Sequence, residues 1–202
     1  MVAIIDYGAG NLQSVKKALD FLGCESVISG DSKVIDSASH IILPGVGSFG
    51  DAMESIRKNN LEDTIKRAAD GRRPFLGICL GLQLLFEKSE ESPDVKGLGV
   101  FDGSITLIPK SQGLKVPHMG WNSVTVNQKC GIFDGISDGT YFYFVHSFYL
   151  GNADSSVVAA TTYYGTDIQC AVQRGKVAAT QFHPEKSGEA GLRLLKNFIR
   201  EG

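Results

Sequence analysis

The residues of this chain best suited to covalent chemistry are a cysteine between glycines and a histidine–proline–glutamate run far downstream. Cys79 stands in Gly77-Ile78-Cys79-Leu80-Gly81, after an apolar run typical of a buried strand and before a helical pattern. Such a tight strand-to-helix turn pushes the side chain out of the sheet edge, as in a nucleophile elbow. The N–H groups that open the following helix favour a thiolate and any oxyanion beside it. We therefore predict that Cys79 is a nucleophile rather than a structural core cysteine.

His183-Pro184-Glu185 supplies the two groups that a cysteine nucleophile needs beside it. A base holds the sulfur as thiolate and later protonates the leaving group, and a carboxylate fixes the tautomer of that base. The proline breaks the preceding strand pattern, so the carboxylate can fold back toward the imidazole. Alone, this run would indicate only a loop histidine beside a solvated glutamate. Together with the cysteine elbow, it predicts a Cys79–His183–Glu185 triad.

A glycine-rich stretch, Pro44-Gly45-Val46-Gly47-Ser48-Phe49-Gly50, contains a formal G-x-G-x-x-G pattern. A dinucleotide fingerprint would need an acidic residue about 20 positions on, at the end of the next strand. That next strand ends in the cysteine instead, so we do not predict nucleotide binding. We predict that backbone N–H groups of Val46 and Gly47 form an oxyanion hole with that of Leu80. The alternative is an ordinary turn between a strand and a helix.

Composition limits the class of protein. The 202 residues are 43% hydrophobic and 21% charged, which fits one domain over residues 1–202. With a net charge of −2 and no basic stripe, neither nucleic acid nor a membrane surface is an expected partner. Neither a signal peptide nor a bilayer-spanning run is recognisable, so we expect a cytoplasmic protein. The four scattered cysteines predict no zinc site, disulfide framework, metal or cofactor. Of these, Cys24 and Cys170 are expected to be small core residues, and the sequence around Cys130 indicates no role for it.

Hydrophobic periodicity predicts an α/β fold, an open and mostly parallel sheet with flanking helices plus a smaller, partly antiparallel sheet. In the first half of the chain, strand patterns alternate with helical patterns, and Asn11 is expected to cap the first helix. Strands are expected over 2–6, 26–29, 41–43, 75–78, 104–108, 123–126, 141–145, 157–162, 168–172 and 177–181. Helices are expected over about 12–22, 51–58, 61–69, 82–90 and 188–200. The cysteine, the histidine and the glycine loop each follow a strand, so they can converge at one sheet edge.

Motifs across the whole chain resemble a known family. Gly77-Ile78-Cys79-Leu80-Gly81-Leu82-Gln83 with His183-Pro184-Glu185 resembles the triad-type (class I) glutamine amidotransferases. Three further stretches resemble, within that class, the glutaminase subunits of imidazole glycerol phosphate synthases, which act in histidine biosynthesis. These stretches are Asp6-Tyr7-Gly8-Ala9-Gly10-Asn11-Leu12, Leu43-Pro44-Gly45-Val46-Gly47-Ser48-Phe49 and Pro117-His118-Met119-Gly120-Trp121-Asn122. Nothing departs from the family pattern at the triad.

The resemblance implies hydrolysis of glutamine to glutamate and ammonia, with the Cys79 thiolate attacking the side-chain amide. It also implies that Gln83 and a downstream acid, matched by Glu91, hold the substrate amino acid, helped by backbone around Ser147 and Phe148. On sequence grounds alone, Gln83 could be a polar residue on a helix face, and Glu91 could belong to a solvated helix end.

The resemblance further implies a partner, because free ammonia is protonated and lost in water. That partner is a separate cyclase subunit of (β/α)8 form, which makes imidazole glycerol phosphate and AICAR from PRFAR within a heterodimer. Candidate contacts are Asn11, His118, Met119, Trp121, Asn122 and Lys186. Trp121 is the best of them because tryptophan is enriched at interface hot spots, although it could simply be a core residue.

Three other functions stay open on this sequence. The chain could serve a different synthase, could be a γ-glutamyl hydrolase, or could be an inactive regulatory module. The Pro117–Asn122 stretch argues against the first, Gln83 against the second, and the intact triad against the third. Of the other histidines, His40 reads as structural, and His146 as either a packed residue or part of the pocket wall.

Overall fold

A computed structural model describes residues 1–110, 113–127 and 131–201 of the chain, so Cys130 lies outside the described residues. The strands are β1 (Val2–Ile5), β2 (Ser26–Ser29), β3 (His40–Gly45), β4 (Phe75–Cys79), β5 (Lys88–Ser89), β6 (Ser104–Leu107), β7 (His118–Val126), β8 (Thr140–His146), β9 (Phe148–Leu150), β10 (Val158–Tyr163), β11 (Asp167–Arg174) and β12 (Val177–Thr180). The helices are α1 (Leu12–Phe21), α2 (Ser32–Ser37), α3 (Phe49–Lys58), α4 (Glu62–Ala68), α5 (Leu80–Leu84) and α6 (Gly188–Arg200), with short 3-10 turns at Gly131–Phe133 and Pro184–Lys186.

Two sheets organise these elements. The larger has nine strands in the order β2-β1-β3-β4-β12-β11-β10-β7-β8, and the smaller has the order β5-β6-β9. Pairing is parallel from β2 to β12 and antiparallel from β12 to β8, so the large sheet is mixed. The predicted α/β architecture with a large sheet, flanking helices and a small second sheet is confirmed.

The parallel half of the sheet is covered on both faces, as strands with continuous apolar sequence require. All four residues of β1 are buried. Alternate residues enter different cores: Val2 and Ile4 pack in the cluster that contains Val15 of α1. Ile5 packs in the cluster that contains Met53 of α3. The carboxyl ends of β3, β4 and β12 therefore open at one edge between two layers of helices, where the site lies.

The helix expected over 82–90 is wrong in its extent, because α5 begins at Leu80 and ends at Leu84. The carbonyl oxygens that would accept the next hydrogen bonds of this helix accept instead from backbone N–H groups of a neighbouring loop. Leu98 N–H donates to Leu84 O (2.9 Å), and Val100 N–H donates to Leu85 O (2.8 Å). The chain then enters β5 instead. Such long-range competition leaves no signal in local periodicity.

Three other local expectations need correction. Asn11 precedes α1, but its side chain makes no capping hydrogen bond, so it does not act as the predicted cap. Helix α2 was not predicted, although Asp31 caps it by accepting from Lys33 N. Strand β9 was also not predicted, because its three residues follow β8 with only Ser147 between them.

Candidate active site

Cys79 ends β4 in a strained backbone conformation, with φ +56° and ψ −109°. Few residues other than glycine occupy positive φ, and holding one there costs on the order of 1–3 kcal/mol. The conformation turns the chain sharply from β4 into α5, as the nucleophile-elbow pattern predicts. The side chain is 7% exposed, and its Sγ lies 3.8 Å from both Val145 O and Gln181 Nε2.

Glycines allow this turn to sit tightly against β3. A Cβ on Gly81 would overlap the Leu43 carbonyl oxygen, and one on Gly45 would lie 2.7 Å from Tyr7 Oη and 2.8 Å from Leu80 Cβ. Because Gly45 pairs with Cys79 in the parallel register, the loop that follows β3 starts beside the nucleophile. The glycine pattern of the sequence is therefore explained by close backbone packing around the elbow.

His183 and Glu185 form a buried ion pair directly after β12. His183 Nδ1 is 2.8 Å from Glu185 Oε1, and the two side chains are 2% and 1% exposed. The 3-10 turn at Pro184–Lys186 folds the carboxylate back onto the ring. His183 Nε2 has no hydrogen-bond partner among the described residues, and the ring lines the same cavity as Cys79. The ring is thus held by its Nδ1 side, and Nε2 is left for chemistry.

The pKa of His183 is raised to about 9. Burial, the largest single effect, would lower that pKa, but the nearby Cys79 sulfur and the hydrogen-bonded Glu185 carboxylate, which both favour the charged ring, outweigh it. At neutral pH the imidazole is therefore protonated. A protonated base beside a sulfur nucleophile is prepared to donate a proton to a leaving group.

A cavity of about 310 Å³ opens over Cys79. It collects most of the residues that the sequence singled out. They are Val46, Gly47, Cys79, Leu80, Gln83, Glu91, Ser147, Phe148 and His183, joined by Pro117, Val145 and His146. Glu185 does not line this cavity and lies behind His183. A molecule the size of an amino acid fits within this volume, since about 300 Å³ is the lower end of ligand pockets.

Gln83 and Glu91 are held by the protein on one side and line the cavity on the other. Gln83 Nε2 donates to Phe148 O (3.0 Å) and Gln181 Oε1 (3.1 Å), so both of its N–H groups are used. Glu91 Oε2 accepts from Phe49 N (2.7 Å). Each residue keeps one acceptor oxygen with no donor among the described residues, Gln83 Oε1 and Glu91 Oε1. Two acceptors suit an ammonium group.

The predicted interface residues do not all lie on the surface. Met119 and Trp121 are exposed, at 63% and 55%. Lys186 is exposed too, with Nζ 5.9 Å from the Tyr143 ring centre. His118 is only 3% exposed, so the structure contradicts its expected contact with a partner. The ring of His118 stacks between two aromatic rings and hydrogen-bonds within the fold.

The two remaining interface candidates are half-buried. Asn122 donates to Tyr163 O (3.0 Å), and Asn11 borders a crevice beside His183 and Glu185.

Sequence reasoning missed Gln181 and left His146 undecided. Gln181 is fully buried and connects Gln83 to Cys79 Sγ, yet its only signal was its position two residues before His183. His146 both packs inside and lines the cavity. Tyr141 and Tyr163, at 58% and 68% exposed, add to the exposed aromatic surface around Trp121. Neither tyrosine was selected from the sequence, because the packing of the whole fold decides which face of a strand is covered.

Among residues 1–110, 113–127 and 131–201, no group of three or more His, Cys, Asp or Glu side chains is placed to hold a metal ion. Within those same ranges, no helix is long and apolar enough to cross a membrane.

An elbow cysteine, a buried histidine–glutamate pair and a glycine loop meet at one small cavity beside an α/β sheet, which is the arrangement that a cysteine-dependent enzyme requires. The profile of the class-I glutamine amidotransferase family matches residues 3–201, and the chain belongs to this family. It is therefore a glutamine amidotransferase, an enzyme.

Individual relatives are more specific. Imidazole glycerol phosphate synthase subunit HisH of Rhodopirellula baltica is 50% identical over 98% of this chain and 96% of its own length. HisH 1 of Methanococcus maripaludis is 46% identical over 98% of each chain. A solved structure described as glutamine amidotransferase superposes with a TM-score of 0.77 at 22% identity, covering 100% of this chain and 98% of its own. PurLQS from Thermotoga maritima likewise gives 0.77 at 22%, over 98% of this chain and 97% of its own. These two likenesses concern the fold alone.

Proposed function

We propose that this chain is the glutaminase subunit of an imidazole glycerol phosphate synthase, acting in histidine biosynthesis. It hydrolyses glutamine and delivers the ammonia to a cyclase subunit. The observation that carries the proposal is the single cavity that holds Cys79, His183 and the two free acceptors of Gln83 and Glu91. Relatives named HisH, which match this chain over nearly its full length, supply the pathway.

The first half of the reaction forms a thioester. Glutamine enters with its α-ammonium between Gln83 Oε1 and Glu91 Oε1, which places its side-chain amide over Cys79. The sulfur attacks the amide carbon, a C–S bond forms, and the carbonyl electron pair moves onto oxygen. N–H groups of Leu80 and of the Val46–Gly47 segment stabilise that oxyanion.

Collapse of this intermediate releases ammonia. His183 donates its Nε2 proton to the amide nitrogen, the C–N bond breaks, and the oxygen regains its double bond. The neutral His183 then takes a proton from water, whose oxygen attacks the thioester carbon. The C–S bond breaks to yield glutamate and the thiolate, while Glu185 holds the ring by Nδ1 throughout.

The partner is a cyclase subunit, proposed to be a (β/α)8 barrel that receives ammonia through its interior. It would dock on the aromatic face of the β7–β8 pair. In the antiparallel register Met119 stands opposite Val145 and Trp121 opposite Tyr143, so exposed side chains of both strands share one surface. Exposed aromatic residues in such a cluster mark interaction sites. Lys186 borders this surface, with Nζ 5.9 Å from the Tyr143 ring centre, and Asn11 and Asn122 are proposed as further contacts.

Two further assignments accompany the function. Residues 1–202 form one glutamine amidotransferase domain, which the continuous sheet from β2 to β8 supports. The chain works in the cytoplasm, where amino-acid biosynthesis supplies its substrates.

Glutamate release from glutamine tests the proposal in three mixtures: this chain alone, with the cyclase, and with the cyclase plus its phosphoribosyl substrate. We expect release to rise sharply only in the full mixture. The Cys79→Ala variant should bind the cyclase but lose activity by about 1,000-fold or more, as after loss of a catalytic nucleophile. Equal release in all three mixtures would instead indicate a free-standing hydrolase or a subunit of another synthase.

A further inference from the structure

Two buried histidines beside the cavity, His118 and His146, take no part in the hydrolysis described above. His118 Nδ1 lies 3.0 Å from His146 Nε2, and His146 Nδ1 lies 2.9 Å from Phe148 O. His118 is 3% exposed and does not line the cavity, whereas His146 is 6% exposed and does. Polar groups buried this deeply are costly unless each has a partner, so their hydrogen bonds carry information.

A single carbonyl fixes the direction of the whole chain of hydrogen bonds. Because Phe148 O can only accept, His146 must carry its proton on Nδ1. A neutral ring protonated there accepts at Nε2, so His118 must donate from Nδ1. His118 Nε2 is then left to accept, and the Asn122 side-chain amide lies 3.4 Å away as its donor.

Both rings are neutral, as this arrangement requires. Burial lowers the pKa of His118 to about 4. Burial is also the main reason that the pKa of His146 falls to about 3, with the neighbouring His118 lowering it further. A further proton on His146 Nε2 would face the N–H of His118 Nδ1, and one on His118 Nε2 would face the amide N–H of Asn122.

The same carbonyl also holds the substrate-binding amide. Phe148 O accepts hydrogen bonds from both Gln83 Nε2 and His146 Nδ1, and these two bonds use both lone pairs of the oxygen. The other N–H of Gln83 goes to Gln181. The Gln83 amide can satisfy these bonds in one orientation only, and that orientation leaves Oε1 as the acceptor for the cavity.

We propose that His118 is a positioning residue for the glutamine site: its donation to His146 Nε2 holds the Phe148 carbonyl and, through it, the orientation of the Gln83 amide. This inference rests on the proposed hydrolysis of glutamine. Without this donor, His146 Nε2 is a buried acceptor with no partner, so the His146 ring is held only through Nδ1 and can turn away from the Phe148 carbonyl. The carbonyl and the Gln83 amide bound to it then lose their fixed position, so Gln83 Oε1 no longer lies where the substrate ammonium needs an acceptor.

Two substitutions separate the hydrogen bond from the packing. His118→Phe keeps a ring stacked between Phe144 (4.8 Å) and Tyr164 (3.9 Å) but removes both nitrogens. His118→Asn returns an N–H near the position of Nδ1. We expect the KM for glutamine to rise about 10-fold in the Phe variant, the value of one hydrogen bond, with kcat changed less than about 3-fold. In the Asn variant, the KM should return most of the way to the wild-type value.

Nitrogen chemical shifts of the imidazoles give a readout independent of activity, and the chain has only four histidines to assign. In the full-length chain we expect protons on Nδ1 of both His118 and His146, and in the Phe variant a faster exchange of the His146 Nδ1 proton with water. A wild-type His146 protonated on Nε2, or an unchanged KM in a folded Phe variant, would overturn the proposal. Should the Phe variant not fold, the wild-type tautomers and the Asn variant decide.

The two proposals can fail separately. A wild-type complex that releases no glutamate would refute the proposed function, whereas the tautomer measurement would still test the hydrogen bonds. A wild-type complex that is active, with KM insensitive to His118, would refute only the positioning role.

Discussion

The strained backbone of Cys79 makes an unusual prediction about stability. At φ +56° a side chain crowds its own backbone, at a cost on the order of 1–3 kcal/mol that glycine does not incur. Against this gain, glycine gives the unfolded chain more freedom, which costs about 0.5–1 kcal/mol relative to alanine, and it lacks the buried methyl group of alanine, which costs about 0.8 kcal/mol more. The strain exceeds these costs over most of its range, so the Cys79→Gly variant should be more stable than the Cys79→Ala variant by up to about 1.7 kcal/mol.

Urea unfolding of the two variants measures this difference, and a second cysteine supplies the control. Cys170 is fully buried within strand β11, where no positive φ is required. There the order should reverse, with Cys170→Gly less stable than Cys170→Ala by about 1 kcal/mol or more, since a buried methyl group is lost as well. If glycine is less stable than alanine by the same amount at both positions, the elbow is not strained and this reasoning is wrong.

Three other predictions concern the triad, the docking surface and the buried histidines. Glu185→Gln should lower kcat for glutamine hydrolysis by about 10,000-fold with KM little changed, because the amide supports the wrong tautomer of His183; steady-state kinetics of the cyclase complex would show it. Trp121→Ala should weaken cyclase binding about 10- to 100-fold in a titration, and an unchanged Kd would remove Trp121 from the docking surface. Unfolded His118 and His146 have pKa values near 6.5, above their folded values, so the unfolded state binds more protons below that pH. The free energy of unfolding should therefore fall as pH drops from about 6.5 toward 4. The His118→Phe variant lacks one of these two proton-binding groups, so its free energy of unfolding should fall less steeply, by up to about 1.4 kcal/mol per pH unit. Urea titrations at several pH values measure both slopes.

Sequence patterns located the strands of the parallel half well because those strands carry a simple signal. Strand β2 and helix α6 have the predicted bounds, and β4 extends one residue further, to the nucleophile itself. A continuous apolar run that is followed by glycine is typical of a buried strand and fits other elements poorly. The end of α5 was missed because it depends on carbonyl groups captured by a loop about 14 residues away, a tertiary effect that local periodicity does not contain.

The candidate site likewise contains residues that could be predicted from the sequence and residues that could not. Residue types that perform chemistry, such as Cys79 and His183, could be selected from spacing and strand ends. Gln181 could not, because an isolated glutamine has no distinguishing pattern until the fold places it beside Sγ. His118 was assigned to the surface through its neighbours in the Pro117–Asn122 stretch. In a strand, however, alternate residues face opposite sides, so Met119 and Trp121 are exposed while His118 is buried.

The role of Cys79 is the central claim, and labelling with an electrophilic glutamine analogue tests it most directly. The cyclase complex would be treated with the analogue, digested and analysed by mass spectrometry, while residual glutamate release is followed in parallel. We predict one adduct per chain, on the peptide that contains Cys79, with activity lost in proportion to labelling and protection by glutamine. Labelling at Cys24, Cys130 or Cys170 instead, or full activity in a chain labelled at Cys79, would contradict the account.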